Sequence, residues 1–337
     1  MFQPLVSVLS PCYNVGPYID RFIDSLIAQT HKNLEIIFVN DGSTDNTLEI
    51  IERRTRELKD QGYIVKIVSQ ENGGLSSAVN LGLKHFTGDY LTWPDPDDWL
   101  APTSIEERVR ILEQYPDVGT VRCNSEMIDG ETQGSLGNFF KQSDSIFLNE
   151  TLFHDLAHIQ TYFAPVCYMV RSKYFIAVNP KREIYYRREA MQNLQMLLPI
   201  TYSYKAIQTN KVLSFYLVRK KSLSRSAKSE VDVFKWDAVM CEVALKTLSG
   251  IMGLDEAYLA EISRFFNRTK LAPGAFRARL NSELYSILGQ LKLNLPKKTI
   301  CYVLTLHRMS SLSRVLERVT FGLSSKIENG AFRLMVR

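Results

Sequence analysis

The chain has 337 residues, of which 45% are hydrophobic and 23% are charged. This composition is typical of a soluble globular protein, and the length predicts one large domain plus a smaller one. Lys and Arg exceed Asp and Glu by five (41 − 36), a mild excess that fits nucleic acid, anionic lipid or a phosphate-bearing substrate equally well. No stretch approaches the roughly 18–20 apolar residues of a membrane span, so we expect no membrane-spanning helix in this sequence.

Cysteine usage indicates a reducing compartment. The five cysteines are widely scattered, their number is odd, and none form a Cys-x-x-Cys pair. The first residues enter a strand-like segment without a basic region followed by an apolar stretch, so we expect no signal peptide. Together these features predict a cytoplasmic protein.

Strand-like and helix-like segments alternate through the first hundred residues. Short apolar runs predict strands at residues 5–10, 34–40, 63–69 and 90–93, with Pro11 ending the first of them. Amphipathic helices are predicted between them, the first opening at Pro17 and the third carrying Leu75 and Leu83. This alternation predicts an α/β fold with a mostly parallel sheet and helices on both faces.

Polar and glycine-rich segments follow the end of each predicted strand, at residues 11–14, 41–45, 72–74 and 95–98. In a parallel sheet, ligands bind beyond the carboxyl ends of the strands. The four segments should therefore meet at one edge, although up to about 85 residues separate them along the chain. Their side chains predict a nucleotide site.

Three carboxylates, Asp95, Asp97 and Asp98, follow the fourth predicted strand within four residues. Such close like charges repel one another unless a cation lies among them, and hard oxygen ligands suit Mg²⁺ or Mn²⁺. The alternative is a solvated acidic loop that ends in a helix N-cap.

Four segments in this order resemble the family 2 glycosyltransferases of GT-A fold: residues 8–14, 39–45, 72–80 and 95–99. The resemblance is carried by the first hundred residues and fades after about Arg225. It implies a GT-A domain at residues 1–226, with a donor half at about 1–100 and an acceptor half at about 101–226. Residues 227–337 read as an α-helical C-terminal domain.

The resemblance implies a set of donor-binding residues. Tyr13 would flank a uracil ring, and Asp41 would accept a hydrogen bond from its N–H. The alternatives are simple packing for Tyr13 and a helix N-cap for Asp41. The remaining residues of this implied site are Pro11, Asn14, Asn72, Gly73 and Gly74.

The Asp95-Pro96-Asp97 triplet matches the metal motif of that family. Asp97 would bind Mn²⁺ or Mg²⁺ directly, and Asp95 would reach the ribose or the metal hydration shell. Asp98 would lie beside the donor sugar or cap a helix starting near Pro102. The ion would bridge the two phosphates of a UDP-sugar and stabilise the UDP leaving group.

An inverting transferase needs a general base near the acceptor hydroxyl. The family draws it from a Glu-Asp pair on a later helix, and the matching residues here are Gln192 and Asn193. Because amides do not take up a proton, Glu189 is a substitute candidate, one helical turn before Asn193. The alternative for Glu189 is an ion pair with Arg187 or Arg188.

Two further regions carry implied contacts. Residues 161–171 read as a strand ending at a helix start and face the acceptor in the family, which makes Tyr168 and Arg171 acceptor candidates. The alternatives are sheet packing and a charge at a helix end. After a strand predicted at 212–218, Lys221 or Arg225 would contact the diphosphate from a loop that otherwise is a solvated linker.

The C-terminal third predicts helices from residue 230, at 255–266, 274–291 and 297–319. Residues 292–337 contain nine Lys or Arg against two acids, interleaved with apolar residues. This pattern fits peripheral contact with the anionic inner face of a membrane, or a solvated outer face of a helical bundle.

The sequence as a whole predicts a metal-dependent, inverting transferase that moves a hexose or N-acetylhexosamine from a UDP-sugar to a glycan acceptor, on a lipid carrier or a protein. Nucleic acid is not an expected partner. The alternative is a nucleotide-sugar-binding protein without turnover, since the Glu-Asp pair is missing. A dinucleotide-dependent oxidoreductase is disfavoured because no Gly-x-Gly-x-x-Gly follows the first strand.

Overall fold

The structure, a computed structural model, describes residues 3–188, 192–219 and 230–271. The chain divides into two compact units, Met1–Lys220 and Lys221–Arg337. The expected domain boundary at residue 226 and the helices predicted at 274–291 and 297–319 lie outside the described residues.

The first unit is built on one ten-stranded sheet. Its strands are β1 (Val6–Cys12), β2 (Leu34–Asp41), β3 (Ile64–Gln70), β4 (Tyr90–Thr92), β5 (Trp99–Leu100), β6 (Val118–Asp129), β7 (Ser135–Asn138), β8 (Ile146–Leu148), β9 (Tyr168–Arg171) and β10 (Lys205–Val218). The order across the sheet is β3-β2-β1-β4-β9-β6-β10-β5, with β7 paired to β6 and β8 to β10. Strands β1, β2, β3, β4, β6 and β10 run in one direction, and the other four are antiparallel to them.

Helices cover both faces of this sheet. They are α1 (Gly16–Ile27), α2 (Thr47–Asp60), α3 (Leu75–Leu83), α4 (Ser104–Gln114), α5 (Leu152–Ala157), α6 (Ser172–Val178) and α7 (Gln192–Ser203). Phe22 of α1 packs against Phe38 of β2, with ring centroids 6.5 Å apart. Gly82 of α3 packs on Leu9 of β1, which points to the opposite face because Ser10, not Leu9, pairs with Phe38. The predicted α/β layers are therefore present.

Strand β1 does not end at Pro11 as the sequence predicts, but continues to Cys12. Pro11 pairs in register with Val39 of β2. On its other side β1 pairs with β4 only along Val6–Val8, so no ladder bond is lost where proline lacks an N–H. Beyond that point the Ser10 hydroxyl donates to the Pro94 carbonyl at 3.0 Å.

The strand that the sequence predicts within residues 161–171 is present only over its last four residues, as β9. Strand β9 lies antiparallel between β4 and β6, with Arg171 opposite Tyr90 and Tyr168 opposite Arg122. It brings the first four strands and the later β6–β10 pair into one continuous sheet. Strand β10 is also longer than expected, because it begins at Lys205.

The described part of the second unit is helical. It contains α8 (Glu230–Ser249), α9 (Glu256–Phe266) and a π-helical turn at Asn267–Leu271. The Asp255 carboxylate caps α9 by accepting the Ala257 N–H at 2.9 Å, which confirms the helix start predicted there. Among the described residues, none of the helices combines the length and apolar character that a transmembrane segment requires.

Candidate active site

The loops after β1 and β2 are held together by Asn14. The carboxamide oxygen of Asn14 accepts the Thr44 N–H at 2.8 Å, and the backbone N–H of Asn14 donates to the Ser43 hydroxyl at 3.2 Å. The backbone of Asn14 has φ of 50°, in the left-handed region that asparagine tolerates better than most residues. Asn14 thus fixes the shape of this corner of the sheet edge.

The loops after β2 and β3 are joined through Asp41. Its carboxylate accepts the N–H groups of Gly73 and Gly74, each at 2.9 Å. The Asn72 carboxamide donates to the Asp41 carbonyl at 3.1 Å. Glycine is required at position 74, where φ is 85° and a Cβ atom would lie 2.9 Å from the Arg188 carbonyl oxygen.

Asp41 is buried and does not cap helix α2, so the N-cap alternative for this residue is wrong. Asp45 holds the helix start instead, since its carboxylate accepts the Thr47 N–H at 3.0 Å. Tyr13 is 48% exposed at the same edge, while Pro11 is buried within β1. The uracil contacts of Tyr13 and Asp41 stay predictions.

Asp95, Asp97 and Asp98 come together as predicted after β4. One carboxylate oxygen from each lies within 4.8 Å of the others. Asp98 is buried, and its Oδ1 accepts the Leu217 N–H of β10 at 2.9 Å. Its Oδ2 is buried without a hydrogen-bond partner. Asp98 therefore does not cap α4, whose N-cap residue is Thr103.

The environment of these acids disfavours their charged forms. Burial, and then the charge of Asp97, raises the pKa of Asp95 to about 8, with Arg219 opposing the shift. Burial and the charges of Asp97 and Asp95 raise the pKa of Asp98 well above its ordinary value. A divalent cation would relieve both effects, and the buried, unpaired Oδ2 of Asp98 offers it a free oxygen ligand. The three residues thus fit Mn²⁺ or Mg²⁺.

Two arginines line the acid cluster. Arg219, directly after β10, forms an ion pair with the Asp97 carboxylate at 2.5 Å, and its guanidinium lies 4.8 Å from the Tyr18 ring centroid. Arg21 of α1 donates to the Asp97 carbonyl at 3.2 Å and stacks 3.7 Å over the Trp99 ring. The cluster is therefore flanked by positive charge suited to a phosphate.

Helix α7 brings the predicted amide pair to this edge. The Gln192 carboxamide lies 3.5 Å from Asp95 Oδ1, and the Asn193 carboxamide oxygen accepts the Trp93 indole N–H at 3.0 Å. Both residues are buried. Glu189 lies outside the described residues, as do Lys221 and Arg225.

Residues 7–178, more than half of the chain, match the model of the family described as glycosyl transferase family 2. The chain belongs to this family. An uncharacterised glycosyltransferase of Rickettsia typhi is 37% identical over 172 residues, which are 49% of this chain and 51% of the relative. The glycosyltransferase GlyA of Streptococcus pneumoniae is 29% identical over 240 residues, 65% of this chain and 31% of that protein. The chain thus spans about half or less of these curated relatives.

Solved structures share the family 2 fold. TarS 1–349 of S. aureus, in complex with UDP, has a TM-score of 0.60 at 18% identity, covering 95% of this chain and 90% of that one. The mannosyltransferase PcManGT of Pyrobaculum calidifontis, in complex with GDP-Man and Mn²⁺, has a TM-score of 0.54 at 16% identity, covering 94% and 88%. At this identity the likeness concerns the fold, and it confirms the predicted GT-A architecture.

The two acceptor candidates of this family 2 chain are inside the fold. Tyr168 is buried, and its hydroxyl donates to the Tyr162 carbonyl at 2.9 Å. Arg171 lies opposite Tyr90, at the entry of β4 rather than at its carboxyl end. Its guanidinium binds the Leu112 carbonyl at the end of α4. The structure therefore favours the alternatives, sheet packing and a charge at a helix end.

Sequence reasoning missed two contributors to the site. Arg219 is the first residue of a basic run, in which the sequence predicts the phosphate contact at Lys221 or Arg225 instead. The segment before α7 also reaches the donor loops: Tyr186 donates to the Gly73 carbonyl at 3.1 Å, and Arg188 to the Asn72 carboxamide at 2.6 Å. No local pattern signals this second contact.

Proposed function

We propose that this family 2 member is a metal-dependent, inverting glycosyltransferase that moves a hexose or N-acetylhexosamine from a UDP-sugar to a glycan acceptor. The observation that carries the proposal is the acid cluster Asp95, Asp97 and Asp98. In this cluster the buried Oδ2 of Asp98 has no hydrogen-bond partner and is free to bind an ion. Mn²⁺ or Mg²⁺ would supply charge neutralisation for the departing diphosphate.

Residues of this chain would hold the donor along the sheet edge. Tyr13 and Asp41 would bind the base, and the backbone at Gly73 and Gly74 would lie beside the nucleotide. Asp97 would hold the ion, and Arg219, which pairs with Asp97, would contact the phosphates. TarS complexes with UDP and with UDP-GlcNAc support a UDP-sugar, whereas the PcManGT complex contains GDP-Man and Mn²⁺.

In an inverting reaction, the acceptor hydroxyl attacks the anomeric carbon from the side opposite the diphosphate and loses its proton to a base. Gln192 and Asn193 stand at the positions of the usual acidic pair and are bonded to Asp95 and Trp93. We propose that they orient the site, and that Glu189 takes the proton.

Donor choice and metal dependence are tested together by thermal stabilisation and donor turnover. UDP-glucose, UDP-galactose, UDP-GlcNAc, UDP-GalNAc and GDP-mannose are compared, each with Mn²⁺ and with EDTA. We expect one UDP-sugar to stabilise the full chain and to be turned over only with the cation. Equal stabilisation by GDP-mannose would contradict the proposed preference for a UDP-sugar. Donor turnover in EDTA would contradict the proposed metal dependence.

A second candidate is a nucleotide-sugar-binding protein without turnover. It is favoured by the amides Gln192 and Asn193, neither of which accepts a proton readily. Tight, Mn²⁺-dependent donor binding without hydrolysis or transfer to any glycan in a broad acceptor panel would select this candidate. Measurable donor hydrolysis would exclude it.

A further inference from the structure

Four aromatic rings meet at the carboxyl half of the sheet, and we name them the aromatic platform: Phe139, Phe140, Tyr162 and Tyr216. Phe139 and Tyr162 stack with centroids 4.3 Å apart and ring planes 4° from parallel. Phe139 also lies 5.4 Å from Tyr216, and Phe140 meets the edge of Tyr162 at 6.0 Å. Three separate segments of the chain contribute these rings.

The backbone of the aromatic platform is firmly held. The Phe139 N–H donates to the Ser125 carbonyl at 2.9 Å. Asn124, which is fully buried, bonds to both backbone groups of Phe140: it accepts the N–H at 3.0 Å and donates to the carbonyl at 2.7 Å. The two phenylalanines therefore have a fixed position relative to β6.

The tyrosine of the stack is held as well. The buried Tyr168 donates its hydroxyl to the Tyr162 carbonyl at 2.9 Å. Arg122, also buried, donates to the Thr161 hydroxyl at 2.8 Å and lies 4.5 Å from the Phe140 ring centroid. Aromatic rings on a fixed backbone lose little conformational entropy when a ligand binds to them, because each has only two rotatable side-chain bonds.

Despite this packing, Tyr162 is 49% exposed. Phe139 covers one face of the Tyr162 ring, so the solvent-exposed part of Tyr162 is the rest of its side chain. Stacked aromatic rings are usually buried, because burial removes their large apolar surface from water. Clusters of aromatic rings that stay exposed at a protein surface are typical of binding sites.

The aromatic platform is connected to the acid cluster through β10. Tyr216 immediately precedes Leu217, whose N–H bonds to Asp98, and Arg219 follows to pair with Asp97. Three residues of extended chain span roughly 10 Å. Tyr216 is thus within the length of a short glycan from the proposed diphosphate position.

The order of the strands separates the aromatic platform from the nucleotide loops. Those loops follow β1, β2 and β3, on one side of β4, whose carboxyl end carries the acids. The platform is built beside β6 and β10, on the other side of β4. A ligand on the platform therefore approaches the acids from the side opposite the nucleotide.

We propose that the aromatic platform binds a sugar ring of the acceptor glycan, with the C–H face of a pyranose against Tyr162. A pyranose suits such a surface because its ring hydrogens carry slight positive charge, which the negative face of an aromatic ring attracts, while its hydroxyls stay in water. This assignment rests on the proposed function, since it names the substrate that receives the donor sugar.

Saturation-transfer difference NMR on the full chain tests this site with defined probes: the methyl β-glycosides of glucose, galactose and N-acetylglucosamine, with and without UDP and Mn²⁺. We expect at least one probe to receive saturation through its ring C–H protons. Tyr162→Ala should weaken that binding about tenfold, the loss typical of one stacking contact. Tyr162→Phe keeps the ring and should restore binding to within about twofold.

Tyr115→Ala is the matched control, because Tyr115 is 37% exposed and precedes β6 at the opposite end of the sheet. It should bind the probes as the wild type does. Three results would each overturn the proposal that the aromatic platform binds a sugar: unchanged binding by Tyr162→Ala, an equal loss of binding in Tyr115→Ala, or no saturation of any probe by the wild type.

Stabilisation by UDP with Mn²⁺, measured on the same variants, separates this proposal from the proposed function. Tyr162→Ala should keep the wild-type UDP shift, which also shows that the variant is folded. If the wild type binds the glycosides through Tyr162 but shows no response to any nucleotide, the aromatic platform stands and the transferase proposal fails. If UDP stabilises the wild type but no glycoside binding depends on Tyr162, the transferase proposal stands and the aromatic platform fails as a sugar-binding site.

Discussion

The buried carboxylates Glu35 and Asp98 lie near opposite ends of the central sheet and differ in how fully they are hydrogen-bonded. Near the amino ends of the strands, Glu35 accepts the Ser7 hydroxyl and the Lys66 ammonium, each at 2.5 Å. It also accepts the Thr87 N–H and hydroxyl, each at 2.8 Å. At the carboxyl ends, Asp98 accepts a single backbone N–H and leaves Oδ2 unpaired.

The pKa values of the two acids move in opposite directions. Burial alone would raise the pKa of Glu35, but its bonds to Lys66, Ser7 and Thr87 outweigh burial and lower it. Burial and two neighbouring carboxylates raise the pKa of Asp98. A buried acid whose hydrogen bonds are all made is typical of a structural group. A cluster of buried acids without cationic or hydrogen-bond partners is typical of a ligand-binding site. The following changes test that distinction.

The largest effect on stability is expected for Glu35→Ala. Removing this carboxylate leaves Lys66 and the Ser7 and Thr87 donors without their partner, and loss of one member of a buried pair costs about 3–5 kcal/mol. Urea unfolding should show a lower midpoint. Glu183→Ala removes an exposed partner of Lys84 and is the control, with little change in the urea midpoint expected because solvent screens exposed ion pairs. Equal stability of both variants would refute a structural role for Glu35.

The largest effect on activity is expected for Asp97→Asn. The amide keeps the shape but removes the charge proposed to bind the cation, so kcat/KM should fall on the order of 10²–10³-fold, the scale of losing one electrostatic stabiliser. A cooperative urea unfolding transition should show that the variant is folded. Asp117→Asn changes a surface acid paired with Lys205 and should retain full rates. Undiminished transfer by Asp97→Asn would remove the basis of the metal proposal.

A smaller loss is expected for Arg219→Met. The variant keeps much of the side-chain length but removes the cation beside Asp97, so we expect about a tenfold rise in donor KM, equivalent to about 1.4 kcal/mol. Steady-state kinetics with the selected UDP-sugar measures it. Arg110→Met, at an exposed ion pair with Glu107, is the control. A donor KM equal to that of the control would place Arg219 outside the donor site.

The lowered pKa of Glu35 predicts a pH effect in acid. An acid whose folded pKa is depressed contributes stability above its ordinary value near 4.5, and that contribution is lost as pH falls through the lower folded value. Between pH 5 and pH 3 the wild type should lose stability more steeply than Glu35→Gln, by at most about 1.4 kcal/mol per pH unit. Parallel curves from thermal unfolding would count against this ion pair.

The smallest effect, and one of opposite sign, is expected for Asp98→Asn in EDTA. Replacing one of three crowded acids removes repulsion while Oδ1 still accepts the Leu217 N–H, so Tm should rise by about 2–4 °C, equivalent to about 1 kcal/mol. Addition of Mn²⁺ should stabilise the wild type but not this variant. A lower Tm in EDTA would mean that the charge of Asp98 is stabilising.

Much of the donor half could be predicted from sequence because its signals are local. Apolar runs and helical periodicity located β1 to β4 and α1 to α3 closely, and parallel strands bring their carboxyl ends to one edge. The meeting of Asp95, Asp97 and Asp98 needed only their spacing. The helix that the family resemblance implies at Gln192 and Asn193 is also present.

The partners of these groups could not be predicted, because they come from distant segments. Leu217, which bonds to Asp98, is 119 residues away in the chain, and no pattern near Asp98 announces it. Arg219 reaches Asp97 only because β10 lies where it does in the sheet. Tyr168 reads as an acceptor candidate, yet the antiparallel insertion of β9 buries it and exposes Tyr162 instead.

Local sequence was sufficient to predict the class of fold, the family and the acids at the end of the fourth strand, because periodicity and short motifs act between residues that are near one another in the chain. Three features emerge only from the folded arrangement: the acid that is unpaired, the arginine that pairs with Asp97 and the aromatic rings that meet beside β10. Those outcomes depend on strand order and register, which long-range packing sets and no local stretch encodes.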